Sequence, residues 1–275
     1  MPDNQSHSPS APEAPVNEGA KARLTKKIQS LDDPTCAVLE TIVAGLSARF
    51  VEVIDSDTDI VTEPFAKNFR IRLQLHHATH EEVFKKKTFE FAFKAASIVA
   101  GRTAEMDEDV TSAGYDLKVD DVRFSLKTEA GKTTSGTHIK ISKLMEARWI
   151  RECRTGQDYL ANMDKVRTHL THYDRVIILR AFQITSPFNG VRYELLEIPH
   201  QLLSLVATIQ ACDFTRRIKK SGTSTVVVKS NGTDAFKLRL DGSVEKITLE
   251  KLPLAKCRKH ASWSIESFVM DSEPD

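Results

Sequence analysis

The stretch from Gly114 to Thr128 constrains this chain most, because two runs of strict alternation meet at a pair of aspartates. Leu117 and Val119 alternate with Asp116 and Lys118; Val122, Phe124 and Leu126 alternate with Arg123, Ser125 and Lys127. Alternation with a period of two places every second side chain on the same face of a strand. A two-residue turn at Asp120-Asp121 pairs Val119 with Val122 and sets Asp116 opposite Ser125. Lys127 is then the diagonal neighbour of Asp116 on the same polar face. An odd slip would send these groups to opposite faces.

A carboxylate and an ammonium converging over an apolar face suit phosphodiester hydrolysis. The carboxylate holds a hard divalent cation, which lowers the pKa of bound water, and the lysine orients or deprotonates that water. One carboxylate makes a poor magnesium site, so a second is expected. Ser142 onward reads as a helix, with Leu144, Ala147, Ile150, Cys153, Leu160, Met163, Val166 and Leu170 at helical spacing. Glu146 lies on the flank of that stripe and is the expected second metal ligand. Glu129 lies two residues beyond Lys127, and Glu90, in an earlier helix, is a further candidate acting through water. Taken singly, an Asp–Lys strand pair is commonly a surface ion pair, and a glutamate beside a helical stripe is commonly solvated. The conjunction carries the reading.

Elsewhere, residues 1–20 are rich in Pro, Ser, Asn and Glu and are expected to form a disordered tail. Asp33 or Pro34 opens a helix carrying Val38, Leu39, Ile42, Val43 and Leu46. Phe69, Ile71, Leu73 and Leu75 alternate as in a strand. Residues 80–100 read as a helix that Gly101 ends. Residues 175–184 and 191–198 read as strands, and Pro199 stands at a helix start. Asn231-Gly232 and Asp241-Gly242 mark hairpins. The expected fold is α/β: a mixed central sheet flanked by helices over residues 21–212, with a basic, β-rich part over 213–275 packed on it.

The net charge of +1 hides an asymmetry. Residues 214–260 hold 12 basic and 4 acidic side chains, a local charge of +8, leaving −7 for the rest. That points to a polyanion-binding face. Arg216, Arg217, Lys219, Lys220 and Lys229 are candidate phosphate contacts, and Lys140 and Lys143 are candidates for phosphate or guanine. Four scattered cysteines, Cys36, Cys153, Cys212 and Cys257, fit reduced thiols in the cytosol. No apolar run is long enough to span a bilayer and no secretory signal opens the chain, so no membrane partner is expected. There is no Walker or GxGxxG loop, hence no nucleotide cofactor. His76, His77 and His80 lack the fourth ligand of a closed zinc site.

Asp116 followed by Ser125-Leu126-Lys127 resembles the PD-(D/E)xK signature of type II restriction endonucleases. The resemblance implies a restriction-endonuclease-like mixed sheet, Mg2+, site-specific cleavage of double-stranded DNA to 5′-phosphates, and a homodimer. It makes Asp116 the motif aspartate and Lys127 the motif lysine. Ser125 departs from the motif, which has Asp or Glu there. A subgroup cutting CCGG-containing sites is similar in having Ser-x-Lys and a carboxylate on the next helix, which implies Glu146 here, 19 residues after Lys127. That subgroup's arginine-rich base-reading stretch is absent, so its target is not carried over. Two rivals remain: a non-catalytic DNA-binding protein on a nuclease-like scaffold, and a repair or junction nuclease of the same fold.

Overall fold

The computed structural model describes residues 19–107, 114–131, 134–215 and 222–267. In chain order the elements are α1 (Ala20–Ile28), α2 (Asp33–Ser47), β1 (Phe50–Ile54), α3 (Glu63–His77), α4 (Lys86–Val99), β2 (Ala104–Met106), β3 (Leu117–Val119), β4 (Val122–Ala130), β5 (His138–Glu146), α5 (Gly156–Ala161), α6 (Met163–Leu170), β6 (Arg175–Ile184), β7 (Gly190–Ile198), α7 (His200–Ser204), β8 (Thr223–Ser230), β9 (Thr233–Asp241), β10 (Lys246–Pro253) and β11 (Arg258–Glu266). The architecture is mixed α/β. A seven-stranded sheet runs β1-β11-β7-β6-β4-β3-β2, and a four-stranded sheet runs β5-β10-β9-β8. Among the described residues, only the β4–β6 pair is parallel.

The large sheet is covered on both faces, and β6 shows how its sequence permits this. Ile177 and Leu179 face a core built with α3 and α4, while Val176 and Ile178 face a second core shared with the small sheet and α5–α7. A strand buried on both sides reads as a continuous apolar run, as Val176–Leu179 does. In the first core Phe65, Phe69, Phe89 and Phe93 pack at centroid distances of 5.2–6.2 Å, and Trp263 of β11 lies 4.8 Å from Phe69. Edge-to-face ring pairs of this kind contribute about 0.5–1.5 kcal/mol beyond their buried area.

Several expectations hold. Asp32 caps α2, its side chain accepting from the Thr35 N–H, with Pro34 in the first turn. Strands β6 and β7 fall where the sequence puts them. Asn231 and Gly232 both take positive φ, 49° and 78°, in the two-residue β8–β9 turn. Cys153 is buried in the second core, and all four cysteines are free thiols.

Three expectations do not. The helix expected over residues 80–100 begins only at Lys86. Phe69–Leu75 is helical, not a strand: the buried positions include Phe65, Phe69, Leu73 and His77, spaced by four, while Ile71 and Leu75 are exposed. The segment from Ser142 is not helical either. It finishes β5, a 3₁₀ turn follows at Arg148–Arg151, and helix resumes only in α5 and α6. The basic C-terminal part is shared out: β8–β10 complete the small sheet with β5, and β11 enters the large one between β1 and β7. Among the described residues, no helix is long and apolar enough to cross a membrane.

Candidate active site

The hairpin register is the expected one. Val119 pairs with Val122 and Leu117 with Phe124 across Asp120-Asp121, and Asp120 takes a φ of 53°. Asp116 extends the ladder, its N–H donating to the Phe124 carbonyl at 2.8 Å. Its carboxylate is clamped against β4: Oδ2 accepts from the Leu126 N–H at 2.7 Å and from Ser125 Oγ at 3.4 Å. Ser125 is thus buried beneath the aspartate that it was expected to oppose.

Lys127 Nζ lies 4.0 Å from Asp116 Oδ2, with its side chain 13 % exposed. Burial pushes the Lys127 ammonium down to about 8; the Asp116 charge opposes this shift, and Lys86 adds to it. Lys86, on the first turn of α4, donates to Asp116 Oδ1 at 2.7 Å and lies 3.4 Å from Glu90 Oε1. Glu90 is almost fully buried and also receives Lys87 at 3.1 Å. The geometry therefore joins Asp116, Glu90, Lys86 and Lys127, with Ser125 below. On the side of the second core, the Tyr173 hydroxyl and His169 Nδ1 are buried with no hydrogen-bond partner among the described residues. Burial raises the Tyr173 pKa, and the Asp116 charge adds to that shift.

The placement of Glu146 differs from the expected one. This residue closes strand β5 instead of riding a helix, and its exposed carboxylate bonds Lys143 at 2.5 Å. The contacts that join Asp116, Glu90, Lys86 and Lys127 do not include it. The periodicity that suggested a helix is a true burial pattern, since Leu144, Ala147, Ile150 and Cys153 are all buried, but a strand and a 3₁₀ turn produce it. Glu129 is engaged elsewhere, bonded by the buried Arg180 at 2.6 Å and by the Lys140 N–H. Lys86 was missed; the signal available was its spacing of four from Glu90.

The donor set suits a hard cation. Asp116 and Glu90 supply carboxylate oxygens, and the Lys86 ammonium bridges them in the manner of a positive ion held between two carboxylates. Beside this centre a cleft of about 640 Å³ is lined by Glu82, Lys85, Lys86, Thr128, Gly131 and Gln183. Of the expected DNA contacts, Lys140 and Lys143 are exposed on β5, whereas Arg216, Arg217, Lys219 and Lys220 lie outside the described residues.

Two other clusters have different uses. Asp59, Glu197 and His260 gather closely enough to suggest a metal. Their carboxylates are already engaged: Arg175 bonds both Asp59 and Glu197, and Arg258 reaches Asp59 at 3.1 Å. Burial pushes the Glu197 pKa up, but His260 and Arg175 outweigh it and hold it at about 2. This is an ion-pair network tying β6, β7 and β11 together. His77 donates to or accepts from the Tyr193 hydroxyl at 2.8 Å, and burial lowers its pKa to about 4, so it is neutral at pH 7. His76 and His80 stack on each other at 4.7 Å.

Asp116, Glu90, Lys86 and Lys127 thus gather beside a cleft whose charged lining is Glu81, Glu82, Lys85 and Lys86, and comparison with known proteins gives the family. The profile described as SmaI, type II site-specific deoxyribonuclease, matches residues 25–265. The chain belongs to that family, whose activity is site-specific cleavage of DNA. It is 31 % identical over 211 residues to the type II restriction enzyme SmaI of Serratia marcescens, covering 74 % of this chain and 81 % of that one. A solved restriction endonuclease in complex with substrate DNA aligns at 14 % identity with a TM-score of 0.34, over 76 % of this chain and 84 % of that one. That likeness is too low to carry weight. Family membership decides against the scaffold-only and repair-nuclease readings.

Proposed function

We propose that this protein is a magnesium-dependent type II restriction endonuclease that hydrolyses both strands of a specific duplex sequence to leave 5′-phosphates, acting as a homodimer in the cytoplasm. The observation that carries the metal centre is the Lys86 bridge between Asp116 and Glu90, 2.7 and 3.4 Å from the two carboxylates and next to Lys127. In this reading Asp116 and Glu90 would hold the cation in the place that Lys86 bridges, and the Lys86 ammonium would be left to contact phosphate. Such a cation would acidify an attacking water and offset charge developing on the phosphate.

The remaining roles belong to the chain. Lys127, with a pKa near 8, is close enough to neutrality at working pH to accept a proton from the attacking water. Leu126 N–H and Ser125 Oγ fix the Asp116 carboxylate, so its orientation needs no reorganisation when the cation enters. Lys85 and Lys86 at the cleft and Lys140 and Lys143 on β5 offer phosphate contacts. The free thiols fit a reducing compartment.

Glu90→Gln and Glu146→Gln, compared in a magnesium titration of plasmid cleavage, test the ligand assignment. Glu90→Gln is expected to raise the half-saturating magnesium concentration at least about tenfold, as losing a carboxylate ligand should, and Glu146→Gln to leave it within about twofold. The reverse ranking would restore Glu146 as the ligand.

A further inference from the structure

Helix α2 is apolar and only partly covered: Gly45 is its one buried residue, Leu39 and Ile42 are half-buried, and Val38 and Val43 are each 59 % exposed. A helix of this length gains most of its stability from packing an apolar face, and α2 packs little of one within the chain. It packs against the C-terminal end of α3, where a Cβ on Gly45 would come within 2.2 Å of the Ala78 Cβ and Gln74 donates to the Ala48 carbonyl at 3.1 Å. Strand β1 follows three residues after α2. Among the described residues it is the edge of the large sheet, paired with β11 alone, and Phe50, Val51, Val53 and Ile54 are all exposed. Its neighbour α3 adds exposed Ile71 and Leu75, and joins it where Arg70 stacks on Phe50 at 3.8 Å. An open edge with apolar side chains on both faces is a template for pairing with another strand.

We infer that α2, the free edge of β1 and the exposed side of α3 form the contact between two copies of this chain, with β1 adding to its symmetry mate. Three observations select a second copy as the occupant. Together α2, β1 and α3 expose nine large apolar side chains, a face of the kind that one side of a standard interface, about 800 Å², covers. A five-residue antiparallel edge is self-complementary about a two-fold axis, the symmetry of most dimers. Residues 1–18, the segment next to this face in sequence, contain Met1 and Val16 as their large apolar side chains, too few by composition to match it. The inference extends the homodimer in the reading above by giving it an address.

Light scattering at micromolar concentration tests it, together with plasmid cleavage. The wild type is expected to be a dimer. Val43→Glu and Leu75→Glu, made separately, should each halve the mass, while Val244→Glu, equally exposed but between β9 and β10, should not. The monomeric variants should lose plasmid linearisation at least tenfold more than nicking. Amide exchange on the unmodified chain gives a second readout: protection of residues 50–54 should rise with protein concentration. A monomeric wild type, as would follow if residues 268–275 cover this face, overturns the inference. So does a dimer that survives both substitutions, or exchange at β1 that ignores concentration. The mass and exchange measurements stand even if the chain cuts no DNA, so failure of the nuclease reading is seen separately.

Discussion

Lys127 Nζ stands 4.0 Å from Asp116 Oδ2 on adjacent strands of one hairpin, and both side chains are largely withdrawn from water. Asp116 also accepts the Leu126 N–H at 2.7 Å, so the pair is anchored through backbone and not only through charge. Asp116→Asn keeps the shape and removes the charge. Plasmid cleavage should fall about 100-fold or more, the usual scale for losing a group that stabilises developing charge. DNA affinity measured without metal should stay within a few-fold.

The position of Lys127 makes a pH prediction with a definite sign. Its ammonium deprotonates near 8 in the folded chain, below the ordinary lysine value of 10.5, so the neutral amine gains population as pH rises through 8. With Lys127 as base, kcat at saturating magnesium should climb below pH 8 and level above it. Lys127→Arg, which stays charged throughout this range, should lose the rise together with most of the activity. A wild-type profile that falls between pH 7 and 9 contradicts the assignment.

Ser125 sits where the family motif has a carboxylate, yet its hydroxyl reaches Asp116 only at a long 3.4 Å. Orientation by the Leu126 N–H is the stronger restraint. Single-turnover rates of Ser125→Ala should drop by less than about tenfold, a loss consistent with one weak neutral hydrogen bond.

The Asp59–Arg175–Glu197–His260 network should act on stability and not on cleavage. Arg175→Ala leaves the largely buried Glu197 short of a partner and is expected to cost about 3–5 kcal/mol in urea unfolding. The folded pKa of Glu197 is depressed from 4.5 to about 2, so its contribution is complete above about 4.5 and is lost as pH falls toward 2. A chelator should not shift the melting temperature through these residues; a shift that Glu197→Gln abolishes would identify a metal there.

The catalytic hairpin was legible because its information is local. Alternation and a two-residue turn fix the facing of Asp116 and Lys127 before any tertiary contact is known, and the register between Leu117 and Phe124 agrees. Glu90 and Lys86 were less legible, since only folding brings α4 against the hairpin; as sequence, a buried glutamate among phenylalanines carries no direction. The two misread segments share one cause. Phe69, Ile71, Leu73 and Leu75 satisfy a period of two while Phe65, Phe69 and Leu73 satisfy a period of four, and Pro64 at the first turn of α3 was the deciding signal. At β5, the alternation of Ile139 and Ile141 announced a strand, but a register shift between Ile141 and Met145 moved the next buried side chain to Leu144 and imitated helical spacing.

The central claim is that this chain cuts specific duplex sequences with the Asp116 centre. Incubating a plasmid of known sequence with the wild type and with Asp116→Asn, with and without magnesium, and sequencing the ends tests it most directly. The account predicts discrete fragments sharing one terminal sequence, with 5′-phosphates, from the wild type in magnesium alone. Cleavage by Asp116→Asn at the wild-type rate, or wild-type products with no common sequence, would contradict it.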